Sequence, residues 1–461
     1  MAMLFDHVFL SRLQFAFTTM FHITWPLLSI GLSIFLIVTE SLWLKTKDPV
    51  YYHHTLFWSK LFLLNFIVGV ASGLPLEFQF GANWSQFSAA THGFFGNILG
   101  FEGAMAFMLE AGFLGIMLFG WQRVPPRVHL FSTCMVALGA SLSAFWIMVA
   151  NSWMQTPAGG SWVNGRYVME NYWQGIFNPD LPWGFSHMWV ACLETTLFVV
   201  GGISAWYILK NRHVDFFLKS FKLALLAAIL ITPLQIWLGD GSGRAVAEHQ
   251  PTKLGAMEAH WHTNPPGQGA PWKLLAWPDP ARQDNAWTFL TIPDGLSLLI
   301  THTFTGQVKG LRDFPPEDQP PILIPFYAFR VMIGIGFAMF GLMLWTLWVW
   351  YKKRLTAELL PRQKWLLWAW VAFIPLGYLA VEMGWLTREV GRQPWIIYGL
   401  LRTKDGASPL PAGAVSTSLV LYLVIYTILF LSFLVFAWRL LQQGPDLTAT
   451  PPRGSKGGTR R

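Results

Sequence analysis

Nine apolar stretches, each long enough to cross a lipid bilayer, constrain this chain more than any other feature of its sequence. A helical crossing takes about 20 residues, and the stretches lie near 15–40, 57–80, 94–120, 130–151, 186–209, 218–239, 322–350, 365–386 and 414–440. Only 12% of the residues are charged, which is about half the share found in soluble domains. The 26 Trp residues recur at the ends of the stretches, as in an interfacial aromatic belt. The sequence therefore predicts an all-α integral membrane protein with about nine transmembrane helices.

The cations of the chain are concentrated in alternate loops. One set of loops, together with the C-terminal tail, holds most of the Lys and Arg, whereas the short loops of the other set are nearly free of them. The positive-inside rule then predicts a multi-pass protein of the bacterial inner membrane, with its N-terminus outside and its C-terminus in the cytoplasm. This placement accounts for the net charge of +8, so nucleic acid is not expected as a partner.

The chain is expected to form one membrane domain over residues 1–443, with a polar insertion at about 240–321 on the outer side. The insertion is rich in Pro, Gly, Trp and charge, which is typical of an irregular functional loop. The Pro/Gly/basic tail 444–461 is expected to be disordered and cytoplasmic. The two cysteines, Cys134 and Cys192, lie in different stretches and outside any CxxCH motif, which excludes covalently attached c-type haem.

Several carboxylates lie inside the apolar stretches, where an ionisable residue costs about 2.5–3.5 kcal/mol on insertion scales and marks a functional site. Glu102 and Glu110 are two turns apart in the third stretch, so a regular helix would place them about 12 Å apart along its axis, roughly on one side. They suit proton transfer, or alternatively structural hydrogen bonds at a helix interface. Glu382 in the eighth stretch needs a compensating partner. Glu194 in the fifth has no evident role.

Two histidines within the stretches and one methionine are candidate ligands of haem iron, which in low-spin b-type sites takes His or Met. These residues are His22, His187 and Met332. Arg330, two residues before Met332, is expected to be an unpaired cation suited to a haem propionate. A membrane histidine can equally bond a neighbouring helix and a methionine can simply fill a gap, so the residues alone leave ligation open.

A set of motifs resembles subunit I of cytochrome bd-type quinol oxidases. The most specific pair is VEMGW at 381–385 followed by GRQPW at 391–395. Further matching elements, in chain order, are SRLQFAF, EFQFGANWS, FEGAMAFMLE, SAFWIMVANSWMQTP, GISAWYILK, TKLGAMEA and FRVM. The compact loop before Arg330 resembles the short-loop branch of the family, which includes cyanide-insensitive oxidases and members with a b-type haem in place of haem d. Tyr378 stands where some members have Trp.

The resemblance implies three haems, two of type b and a third of type d or b. It assigns His187 and Met332 to a low-spin haem. It assigns His22 and Glu382 to the close haem pair at which O₂ reacts, and leaves open which of them ligates the O₂-binding haem. Residues expected near propionates or the distal pocket are Arg330, Arg12, Asn151, Arg392, Gln393 and Trp395.

The segment TKLGAMEA resembles the family's quinol-binding loop, in which Glu258 would accept a proton beside a polarising Lys253. Local spacing alone would favour an ordinary solvated charge pair. The resemblance also implies that Glu110 and Glu102 carry protons from the cytoplasm.

The function implied is that of the haem-bearing catalytic subunit of a terminal quinol:oxygen oxidoreductase. Such an enzyme oxidises ubiquinol or menaquinol on the outer face and reduces O₂ to water with cytoplasmic protons, generating a proton gradient without pumping. Its expected partners are a second large membrane subunit, subunit II, often a small single-span subunit, and membrane lipid. Two alternatives stay open: a haem-free ion-coupled transporter, and a haem electron carrier that does not reduce oxygen.

Overall fold

A computed structural model describes residues 6–452 and consists mainly of long helices. The helices are α1 (His7–Thr46), α2 (Pro49–Ala82), α3 (Ser85–Phe119), α4 (Pro126–Gln155), α5 (Leu181–Leu209), α6 (Val214–His249), α7 (Pro251–Glu258), α8 (Gly295–Thr301), α9 (Leu323–Tyr351), α10 (Lys364–Val390) and α11 (Ala412–Gln443). Within the described residues, eight helices are long and apolar enough to span a membrane, namely all the long ones except α6. Helix α6 is 36 residues long and packs along α5, which agrees with about nine crossings. The predicted all-α membrane fold is confirmed.

Most long helices extend beyond their apolar stretches, because polar residues continue the helix into the interface; α9, with bounds within one residue of its stretch, is the exception. The largest difference is in α6, where the stretch ends near residue 239 but the helix continues to His249. Pro251 disfavours helical geometry at Gln250, the residue before it, and so accounts for the end of α6. The polar insertion therefore begins as helix, and its first ten residues do not form a loop.

Helix α3 is irregular. It contains two π-helical turns, His92–Gly96 and Glu102–Ala106. Each π turn accommodates an extra residue and changes the direction of the side chains that follow. The relation between Glu102 and Glu110 is therefore not that of the regular helix assumed from the sequence.

The polar insertion is more ordered than the irregular loop expected from its composition. It contains α7, α8 and an antiparallel hairpin of β3 (Trp272–Asp279) and β4 (Asp284–Ile292). We call it the outer hairpin, after the side of the membrane predicted for it from the loop charges. Shorter hairpins are formed by β1 (Gly160–Val163) with β2 (Arg166–Met169), and by β5 (Trp395–Ile397) with β6 (Leu401–Arg402). One-turn helices occur at Tyr172–Ile176 and Thr403–Gly406.

The start of the C-terminal tail is attached to the bundle. The carbonyl of Ala449 lies 2.9 Å from Nε2 of His53 on α2. Residues 453–461, the rest of the tail expected to be disordered, lie outside the described residues.

The centre of the bundle is formed by α1 and α5, which approach closely. A Cβ at Gly31 of α1 would lie 2.1 Å from Oγ1 of Thr196 on α5, so only glycine permits this contact. The remaining long helices surround this pair and leave a cavity between them, toward the end of the bundle that carries the GRQPW motif.

Candidate functional site

A cavity of about 740 Å³, which we call the inner cavity, lies between α1, α2, α3, α4 and α10. Its wall includes seven of the site residues predicted from the sequence: Arg12, His22, Glu102, Glu110, Asn151, Arg392 and Gln393. These residues come from separate parts of the chain, so the fold brings them to one place. Trp395, in the same motif as Arg392, is not in this wall and instead lies under the guanidinium of Arg402, 4.6 Å from the ring centroid.

The imidazole of His22 is held in one orientation at the cavity wall. Its Nδ1 lies 3.0 Å from Oγ of Ser72 on α2. A Cβ at Gly73 would lie only 2.8 Å from Cε1 of the ring. Because Nδ1 has a partner, Nε2 is the nitrogen available to a further ligand.

Two carboxylates on α10 compete for the role assigned to Glu382. Glu382 accepts a hydrogen bond from Oγ1 of Thr24 at 3.2 Å, and its Oε2 has no partner among the described residues. Glu382 is not part of the inner cavity wall, whereas Glu389, two turns further along α10, is. The sequence analysis missed Glu389, although an acid three residues before Arg392 of the GRQPW motif was a signal that could have identified it.

Glu389 is the centre of a partly buried polar network. It accepts from Nδ2 of Asn151 at 2.9 Å and from Nε2 of Gln155 at 3.1 Å, and it pairs with Arg392. Oε1 of the same Gln155 accepts from Nζ of Lys253 at 2.6 Å. The network therefore connects the segment that resembles the quinol loop with the wall of the inner cavity.

A second branch of this network fixes Asn151. Nε of Arg388 donates to Oδ1 of Asn151 at 2.6 Å, and the same guanidinium pairs with Asp180. This interaction lowers the pKa of Asp180, although burial acts in the opposite direction. Asp180 and Arg388 are thus functional candidates that the motifs did not indicate.

The carboxyl groups of α3 lie in the same cavity. Oγ of Ser143 donates to Oε1 of Glu102 at 2.9 Å, and Oε2 of Glu102 has no partner among the described residues. Glu110 lies in the wall as well, despite the π-helical turn between the two acids. Both groups therefore face a common space rather than separate helix interfaces.

His187 and Met332 lie on α5 and α9, and each faces a glycine of a neighbouring helix. A Cβ at Gly239 of α6 would lie 3.3 Å from Cε1 of His187, and one at Gly384 of α10 would lie 3.0 Å from Sδ of Met332. Nδ1 of His187 is buried and has no hydrogen-bond partner among the described residues. A buried ring nitrogen without a partner is costly, which marks this position as one that a further group completes.

The candidate quinol loop is buried, so Lys253 and Glu258 do not form the solvated pair that local spacing favoured. Their exposed fractions are 2% and 4%, and each has a partner from elsewhere in the chain. Glu258 pairs with Nη2 of Arg330 at 2.6 Å, whereas Lys253 binds Gln155. The expectation that Arg330 is unpaired was therefore wrong.

Arg330 of α9 holds α7 and β3 together, and we call this set of contacts the Arg330 clamp. Besides Glu258, it donates to the carbonyls of Met257 at 3.1 Å, Lys273 at 2.8 Å and Leu274 at 3.2 Å. Burial raises the pKa of Glu258, and the charge of Arg330 partly opposes that shift. Burial likewise lowers the pKa of Lys253 well below its ordinary value. The loop thus holds a carboxyl group with a raised pKa and an amine with a lowered pKa.

Comparisons with known proteins agree over almost the entire chain. Residues 10–445 match the family described as cytochrome bd terminal oxidase subunit I. Cytochrome bd ubiquinol oxidase subunit 1 of Bacillus subtilis strain 168 is 37% identical, over 95% of this chain and 94% of the relative. Cytochrome bd-II ubiquinol oxidase subunit 1 of Escherichia coli K12 is 32% identical, over 96% and 98%. The bd oxidase structure from Geobacillus thermodenitrificans superposes with a TM-score of 0.86 at 30% identity, over 96% of this chain and 99% of the other.

Proposed function

This chain belongs to the cytochrome bd terminal oxidase subunit I family, and on that premise we propose how its residues carry out quinol oxidation and oxygen reduction. Family membership makes it the haem-bearing subunit of a quinol oxidase, a multi-pass membrane protein that acts with a subunit II. The proposal is that it holds two haems b and a third haem of type d or b. Quinol is oxidised at the outer face, and O₂ is reduced to water with cytoplasmic protons, which separates charge without a pump.

The residues present fit haem at two places. His187 and Met332 supply a nitrogen and a thioether, the donors of a low-spin b-type site, and a glycine of a neighbouring helix lies close to each of them, where a larger residue would crowd the ligand. The unpartnered Nδ1 of His187 supports this assignment. Haem bound at these places would supply the one-electron and oxygen chemistry, which no side chain of this chain can perform.

For the inner cavity we propose His22 and one carboxylate of α10 as iron ligands. Glu389 is favoured over Glu382, because Glu389 shares the cavity wall with His22 and Glu382 does not. Arg12 lines the same wall and is suited to pair with a propionate, while Asn151 orients Glu389. Arg392 pairs with Glu389 through Nη2, but its buried Nε has no partner among the described residues and is suited to donate to a propionate. Arg330, committed to Glu258, is assigned to the quinol loop in this proposal.

At the outer face, Glu258 accepts a proton from the quinol hydroxyl. Burial raises its pKa above the ordinary value of a glutamate, which makes it a stronger base, and Arg330 stabilises its carboxylate form. Lys253 donates a hydrogen bond to Gln155, and this bond positions the loop against the inner cavity. Protons released here leave on the outer side.

Protons for water formation enter from the cytoplasmic side through Glu110 and then Glu102. Both face the inner cavity, and Ser143 holds one oxygen of Glu102 so that the other points toward the cavity space. In the proposed orientation, which rests on the positive-inside rule, the short cation-rich loops and the C-terminus lie in the cytoplasm, and the outer hairpin and GRQPW lie outside. A small single-span subunit and lipid complete the proposed assembly.

The observation that carries the proposal is that one cavity inside the bundle collects His22, two membrane carboxyls and the arginine of GRQPW. The test is to purify the complex with its subunit II, identify the extracted haems, and measure O₂ uptake driven by quinol. Haem together with quinol-dependent uptake is expected. Haem without uptake would favour an electron carrier, and a folded complex without haem would favour a transporter. The spectra of Glu389→Ala and Glu382→Ala then decide which carboxylate ligates iron, since only the ligand's loss should alter the haem pair.

A further inference from the structure

The outer hairpin exposes a continuous apolar face. Leu275 and Trp277 of β3 lie opposite Phe289 and Trp287 of β4, and directly opposed residues of a hairpin share one side. The exposed fractions of these four side chains are 42%, 48%, 61% and 51%. We call these four residues the apolar face. Large apolar side chains that are grouped and uncovered mark an interaction surface.

The hairpin is fixed along the outer end of a membrane helix. Ala276 of β3 is fully buried in a cluster with Phe326 of α9, and its carbonyl accepts from the hydroxyl of Tyr327 at 2.8 Å. Further along α9, Arg330 donates to the carbonyls of Lys273 and Leu274. Strand β3 therefore runs beside the first two turns of α9 and not above its end.

The length of α9 gives the depth of these contacts. Its 29 residues span about 43 Å, whereas the hydrocarbon layer is about 30 Å thick, so roughly 7 Å at each end lies in the interface. Tyr327 is about 6 Å and Arg330 about 10 Å from the first residue of the helix. The strand thus lies at the level of the boundary between headgroups and hydrocarbon.

The surroundings of the apolar face point to lipid as its occupant. Leu323, Ile324 and Val331 of α9 are exposed beside the hairpin and belong to a helix that crosses the bilayer, so the face continues a lipid-facing surface. The ring of Trp277 lies 6.3 Å from that of Tyr327, which places Trp and Tyr together as in an interfacial belt. The face itself carries no charge.

We propose that the apolar face is embedded in the outer leaflet of the membrane and is the surface along which a lipophilic quinol reaches Glu258. The second part rests on the proposed quinol oxidation. The link is structural: the strand that meets the lipid is also the strand whose carbonyls hold Arg330, the partner of Glu258. A quinol that moves along this surface reaches the carboxylate without crossing water.

The first part is tested by the depth of a spin label in the intact complex, reconstituted in lipid nanodiscs. The label is attached at Phe289→Cys in a background that carries Cys134→Ala and Cys192→Ala. The matched control is Arg282→Cys in the turn of the same hairpin, where the native side chain is 77% exposed. Accessibility to dissolved O₂, which partitions into lipid, is compared with accessibility to a water-soluble nickel chelate.

A label at position 289 that meets O₂ more readily than the chelate, with the reverse at 282, is the expected result. A label at 289 that prefers the chelate would place the face in water, and one shielded from both reagents would mean that a protein subunit covers it. Either result overturns the proposal.

The second part is tested by Phe289→Gln combined with Trp287→Gln, using a long-chain and a short-chain quinol. A several-fold rise in KM for the long-chain quinol alone, with kcat unchanged, is expected. Equal changes for both quinols would overturn the delivery route. If the native complex oxidises no quinol, the proposed function fails, while the depth of the label still decides whether the hairpin lies in lipid.

Discussion

The stability of α7 and β3 should be most sensitive to loss of the Arg330 clamp. In Arg330→Gln, Glu258 keeps its buried position but loses its charged partner, and two backbone carbonyls of β3 lose their donors. The pair is almost fully buried, with side-chain exposures of 8% and 4%, so breaking it should cost about 3–5 kcal/mol. Since 1.4 kcal/mol is a factor of ten, local opening of α7 and β3 should become roughly two to four orders of magnitude more frequent.

Hydrogen exchange measured by mass spectrometry on the complex tests this expectation through the amides of 251–258 and 272–279. Arg330→Lys keeps the charge but not the fork of donors, so it should fall between the native protein and Arg330→Gln. The matched control is Arg244→Gln, which breaks a half-exposed pair with Asp240 and should cost at most about 1 kcal/mol. If Arg330→Gln exchanges no faster than this control, the reasoning about the clamp is refuted.

Three further outcomes follow from the same geometry. Because burial raises the pKa of Glu258, kcat/KM for quinol should fall with decreasing pH along a limb that lies above pH 4.5, and this limb should be absent in Glu258→Gln; an unchanged pH profile would exclude Glu258 as the base. Gln155→Leu removes the side chain that bridges Lys253 and Glu389, so quinol-driven turnover should fall while the haem content is retained. Loss of haem would instead indicate that Gln155 has a purely structural role. Glu110→Gln should slow O₂ reduction but leave single-turnover haem reduction by quinol unchanged; equal slowing of both would argue against proton delivery by this residue.

The membrane fold was predictable because hydropathy and helix length are local properties of the sequence. Each apolar stretch of about 20 residues lies in a long helix, and eight of these helices are long and apolar enough to span a membrane. The charged loops between the stretches could likewise be recognised without tertiary information. The ends of the helices were less well predicted, since the polar residues of α6 continue a helix as readily as they begin a loop. The order within the insertion was missed because Pro, Gly and Trp also suit the turns and exposed strands of a hairpin.

The candidate site was predictable only where a motif contained its residue. His22, Asn151 and Arg392 lie in recognisable segments, and the fold brings all three to the inner cavity. The partner of Arg330 was missed because it lies 72 residues away in sequence. Glu389 was not among the candidates, because it lies three residues beyond the apolar stretch 365–386, whereas Glu382 lies within that stretch. Choosing between them needs the direction of the side chains, which spacing alone does not provide.

The helices that form the inner cavity wall are synthesised at widely separated times. Four of its helices, α1 to α4, belong to the first 155 residues, but the fifth, α10, is not synthesised until residue 390. A nascent chain that has inserted only its first third therefore holds Glu102 and Glu110 in an incomplete pocket, open to lipid or to water. The ribosome must deliver more than two hundred further residues before α10 closes that pocket. If the inner cavity holds haem as proposed, that haem would enter late in biosynthesis, and truncated chains should be targets for membrane quality control.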